Sequence, residues 1–86
     1  MLIKLRDKLR SIRKTMPLRK WRQILKPYGF DVIKGKNEGK LINLVTKKHI
    51  MSLGIVDEEI KPIYAMYFRQ YIDKLLKEKT NLTSLD

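Results

Sequence analysis

The stretch Phe30-Asp31-Val32-Ile33-Lys34-Gly35-Lys36-Asn37-Glu38-Gly39-Lys40-Leu41-Ile42-Asn43-Leu44-Val45-Thr46 decides the fold class. Two short runs rich in β-forming residues, 30–34 and 41–46, flank a five-residue polar loop with a glycine at each end. That pattern predicts a β-hairpin. In Leu41 to Val45 both faces are largely apolar, which predicts a strand covered on both sides or lying at an interface.

Upstream of the hairpin the period changes to that of a helix. Leu18, Trp21, Leu25 and Tyr28 share one stripe, and Arg19, Lys20, Arg22 and Lys26 fill the arc outside it. Thr15 is positioned as an N-cap and Pro17 as a first-turn residue. Pro27 and Gly29 end the helix, since proline disfavours helical geometry in Lys26 and glycine accepts a left-handed turn. An earlier helix is predicted over residues 2–14, with Leu2, Leu5, Leu9, Ile12 and Met16 on its apolar stripe. Lys4, Arg6, Lys8, Arg10, Arg13 and Lys14 occupy the remaining arc.

Downstream, Lys47 to Leu53 reads as a short helix closed by Gly54. A long helix follows, capped by Asp57, with Glu58 and Glu59 against the positive end of its dipole. Its apolar stripe runs from Ile60 through Tyr64, Tyr67, Phe68 and Tyr71 to Leu76, and Pro62 bends it or shifts its start. The expectation is an α+β fold: two N-terminal basic helices, a β-hairpin of two or three strands, a short helix and a long C-terminal helix. A single domain spans 1–86, with 1–15 as a basic helical extension, 16–79 as the core and 80–86 as a frayed tail.

Composition restricts function more than it assigns it. The 86 residues contain no cysteine, which excludes a disulfide framework, a thiolate zinc site and a cysteine nucleophile. No apolar run approaches the roughly 18 residues that span a bilayer, nor is there a secretory h-region at the N-terminus. A soluble cytoplasmic protein is the expectation. The net charge of +11 is unevenly placed: residues 1–48 carry +12 and residues 49–86 carry −1. Such one-sidedness attracts polyanions.

The candidate nucleic-acid-binding residues are therefore Lys4, Arg6, Lys8, Arg10, Arg13, Lys14, Arg19, Lys20, Arg22 and Lys26 on the helices, with Lys34, Lys36 and Lys40 on the hairpin. Neutralising phosphates with such side chains releases condensed counterions. Trp21 sits on the apolar stripe, so core packing competes with base stacking for it. A helix-turn-helix through Leu53-Gly54-Ile55 is electrostatically wrong, because Asp57, Glu58 and Glu59 would lead the element facing phosphates.

No catalytic residue, metal ligand or cofactor is assigned. His49 is the only histidine, and no serine lies in a Gly-x-Ser-x-Gly turn. One catalytic route stays open, a metal-independent ribonuclease using His49 with Lys47 and Lys48. An adaptor that offers its basic face to an acidic protein or an anionic membrane is a further reading. Tyr64, Tyr67, Phe68 and Tyr71 suit either a core or the interface of a homodimer.

Met16-Pro17-Leu18-Arg19-Lys20-Trp21-Arg22-Gln23-Ile24-Leu25-Lys26-Pro27-Tyr28-Gly29-Phe30 resembles the opening of the HicA family of small RNA-cleaving toxins, a likeness that reaches Leu44. It implies a helix ending in a Gly-Phe step, then a β-sheet and a closing helix, in a fold like that of double-stranded-RNA-binding domains. That family carries a Gly-Ser-His step on its first hairpin. Here the loop reads Gly35-Lys36-Asn37-Glu38-Gly39, so the resemblance implies an RNA-facing fold without the family's hairpin histidine.

Overall fold

Two helical stripes and one face of a sheet converge on a single apolar core. The computed structural model describes the backbone of residues 2–85 and the side chains of residues 2–78. Helix α1 (Leu2–Arg10) leads to strand β1 (Met16–Pro17) and helix α2 (Leu18–Leu25), which tightens into a 3-10 turn (Lys26–Tyr28). Strands β2 (Phe30–Lys34), β3 (Glu38–Asn43), β4 (His49–Gly54) and β5 (Glu59–Ile60) follow, and helix α3 (Ile63–Leu85) ends the order. The α+β class expected from the sequence is the one observed.

Strands β2, β3 and β4 form an antiparallel sheet in that order, while β1 and β5 make a separate two-stranded ribbon. In the sheet Val32 pairs with Leu41 and Gly39 with Leu53, which puts these four on one face. That face is buried under the helices. Leu5 and Leu9 of α1, Leu18, Trp21 and Leu25 of α2, and Ala65, Phe68 and Ile72 of α3 complete the core with Phe30, Ile55 and Ile60. Phe30 meets Phe68 edge to face at 5.1 Å between ring centroids.

Two glycines are dictated by geometry. Gly29 stops the 3-10 turn with φ +88, a conformation that costs a residue bearing a Cβ. Gly39 faces inward, where a Cβ would lie 2.7 Å from Ile55 Cδ1 and 2.8 Å from Val32 Cγ1.

Several expectations are corrected. Helix α1 ends at Arg10 rather than at 14, because the Ser11 hydroxyl and backbone N–H both donate to the Lys8 carbonyl. Thr15 does not cap α2. Met16 and Pro17 are drawn into extended pairing with Ile60 and Glu59, so Pro17 is the cap residue and the Leu18 N–H donates to the Glu58 carbonyl at 2.8 Å. The hairpin loop is tighter than expected, since Glu38 and Gly39 already belong to β3.

The expected short helix over Lys47 to Leu53 is strand β4. A bulge explains the misreading: Leu41 pairs with Met51 but Ile42 with His49, so Ile50 is an extra residue and strict alternation is lost. Nor does Asp57 cap a helix. Asp57 (φ +54) and Glu58 (φ +62) form the two-residue turn of a small hairpin, in which Val56 and Glu59 exchange two hydrogen bonds of 3.0 Å. Helix α3 starts at Ile63, behind Pro62. Its backbone is helical to Leu85, and the side chains of the expected tail, 80–86, lie outside the described residues. Among the described residues no helix is long and apolar enough to cross a membrane.

Candidate functional site

The cations singled out in the sequence separate into four groups. Arg19, Lys20 and Lys26 are exposed on the outward side of α2, opposite the stripe that buries Leu18, Trp21 and Leu25. None of the three takes part in an ion pair among the described residues. Lys8 of α1 lies over the Tyr28 ring at 5.7 Å, which brings it beside the 3-10 turn that carries Lys26. Lys4 and Arg10 are exposed on α1, and Arg13 and Lys14 on the segment joining it to β1.

A second group surrounds the turn between β4 and β5. Lys34, at the end of β2, pairs with the Glu58 carboxylate. Lys36 is exposed on the 35–37 loop beside it. Glu58 also lines a cleft of about 330 Å³ with Pro17, Leu18, Arg19 and Arg22. A neighbouring cleft of about 320 Å³ is lined by Glu58 together with Lys34, Lys36 and Asp57. The hairpin tip and the start of α2, distant in sequence, therefore meet at Glu58.

Two arginines belong to the fold more than to the surface. Arg22 donates from Nε and Nη2 to the Val32 carbonyl at 3.3 and 3.1 Å, and its Nε lies 3.7 Å from Asp31 Oδ1. It thus fastens α2 to the edge strand β2. Arg6 donates to Asp73 Oδ1 on α3 at 3.3 Å. Trp21 is completely buried, which leaves no ring face for a base.

The fourth group lies on the open face of the sheet. Ile33, Lys40 and Ser52 are cross-strand neighbours there, and the exposed His49 places Nε2 3.4 Å from the Ser52 Oγ. In a regular strand residues 49 and 52 would point to opposite faces. The extra residue at Ile50 brings them to the same one. Ser52 was not singled out in the sequence, and only the bulge, which has no sequence signature here, reveals it. Lys40 belongs to this group and not to the hairpin tip.

The aromatic stripe on α3 also divides. Phe68 is fully buried in the chain's own core, so it is removed from any interface. Tyr64 and Tyr71 are half-buried, and Tyr67 and Ile63 are exposed. Among the described residues no three His, Asp or Glu side chains gather as a metal site would require. Comparison with protein-family models, with curated proteins and with solved structures finds no match for this chain.

Proposed function

We propose that this is a small nucleic-acid-binding protein of the cytoplasm that grips phosphates with the outward side of α2, helped by α1 and the hairpin tip. One observation carries the reading: Arg19, Lys20 and Lys26 are exposed together on α2 and are neutralised by nothing around them. Lys8 and Lys36 extend that surface at its two ends. The succession of α2, a three-stranded antiparallel sheet and α3 is also the order that the resemblance to small RNA-cleaving toxins implies, which favours RNA over DNA.

Phosphate contacts position a protein without reading sequence, so weak base preference is expected. Engaging about six phosphates gives a log–log slope of affinity against salt near −5 on B-DNA and about −4 on single strands. A fluorescence-anisotropy panel of duplex DNA, single strands and structured RNA, each titrated with salt, tests this. Slopes near zero across the panel rule the reading out.

A second reading has its own observation, the His49–Ser52 contact beside Lys40. In a metal-independent ribonuclease His49 would take the proton of a 2′-hydroxyl as its oxygen attacks phosphorus. The P–O5′ bond would break to leave a cyclic phosphate, with water protonating the departing oxygen and Lys40 facing the crowded phosphorus. Cleavage of labelled RNA that His49→Ala abolishes supports it, and intact RNA disposes of it. For self-association, the surface narrows to Ile63, Tyr64, Tyr67 and Tyr71. Light scattering that gives a monomer mass at high concentration dismisses the homodimer.

A further inference from the structure

We infer that the Glu58 carboxylate occupies, within the free protein, a position that a phosphate of the bound strand takes over. This rests on the nucleic-acid reading and deepens it, by naming a subsite and the group that competes for it. Glu58 stands where the two cationic walls meet. Arg19 and Arg22 line the cleft on one side of it and Lys34 and Lys36 the cleft on the other, and its carboxylate accepts from Lys34. A carboxylate and a phosphodiester are both monoanions with two accepting oxygens, so either satisfies the same donors.

The fold does not need this carboxylate. What the architecture uses at Glu58 is its backbone carbonyl, which accepts the Leu18 N–H at the start of α2. The side chain itself is 62% exposed, and ion pairs in that setting contribute little to stability. A weak contact of this kind yields readily to a polyanion whose binding also releases counterions. Asp31, 3.7 Å from Arg22, already shares that arginine, so Arg19 and Lys34 are the cations freed for the incoming phosphate. Asp57 borders only the Lys34 and Lys36 side and not the α2 cleft, which makes it the natural control.

The test is salt-titrated anisotropy on a labelled single-stranded RNA, comparing the wild type with Glu58→Gln and Asp57→Asn. Releasing one subsite should tighten Glu58→Gln about fivefold to tenfold near 0.1 M salt and steepen its salt slope by about 0.7. Lys34→Gln should be nearly silent in the wild type, where Glu58 occupies it, yet cancel the gain in the Glu58→Gln background. Equal gains from Glu58→Gln and Asp57→Asn would reduce the effect to net charge and overturn the inference while leaving the binding reading intact. An unchanged slope for Glu58→Gln would do the same. A wild type that binds without salt dependence overturns the nucleic-acid reading itself, and the inference with it. Glu58→Asn, which suits the left-handed backbone at this position, repeats the test should the Gln variant lose its helical circular dichroism.

Discussion

Replacing Arg22 with Gln separates an arginine that builds the fold from its neighbours that face outward. Arg22 gives two hydrogen bonds to one carbonyl, that of Val32, on the outer edge of β2. Bonds from a charged donor contribute about 1.5–3 kcal/mol when protected from water. Here the side chain is 41% exposed, so solvent screens the interaction and recovers part of it, leaving about 1 kcal/mol. For a domain of this size that lowers the melting temperature by roughly 4–8 °C. Arg19→Gln removes an equal charge with no partner in the fold and should stay within about 0.5 kcal/mol of the wild type. Thermal unfolding followed by circular dichroism reads the stability, and salt-titrated RNA binding reads the function. The expected pattern is crossed: Arg22→Gln is the less stable variant, Arg19→Gln the weaker binder for its stability. Matching melting temperatures for the two variants would refute the division between them.

Trp21→Ala should leave the chain largely unfolded, since emptying so large a buried site costs about 3–5 kcal/mol against the marginal stability of a small domain. Trp21→Phe should be milder, because the buried Nε1 has no hydrogen-bond partner to lose; urea titration compares the two. Gly39→Ala drives a methyl into Ile55 and Val32 and should cost about 1–3 kcal/mol, with part regained on adding Ile55→Val, as measured by urea midpoints. Replacing Asp57-Glu58 with Asn-Gly suits the left-handed turn and should raise the melting temperature by several degrees, about 1 kcal/mol.

The sequence was informative wherever periodicity was local and intact. The stripes of α1, α2 and α3, the Gly29 stop and the 30–46 hairpin all follow from spacing that neighbours in the chain enforce. Strand β4 was hidden because its bulge places Ile50 and Met51 side by side, and Ile50 with Leu53 then mimics a helical interval. The β1–β5 ribbon was hidden because two residues cannot announce a strand whose partner lies far along the chain. Asp57 and Glu58 imitated a helix start because carboxylates favour that place, whereas the turn they form is normally signalled by Asn-Gly. The candidate cations were legible as a set but not in their duties. Nothing in the sequence distinguishes Arg22, bonded to Val32, from Arg19 three residues earlier.

The contact of α1 with α3 also sets an order of events during synthesis. Arg6 and Asp73 are 67 residues apart, so at translation rates of about 5–20 residues per second the first helix waits several seconds for the surface it packs on. Throughout that interval Leu5 and Leu9 have no core to enter, while Lys4, Lys8 and Arg10 are already displayed. A nascent chain of this kind emerges as a basic amphipathic segment beside a ribosome made largely of RNA. It becomes a packed domain only when its last helix arrives.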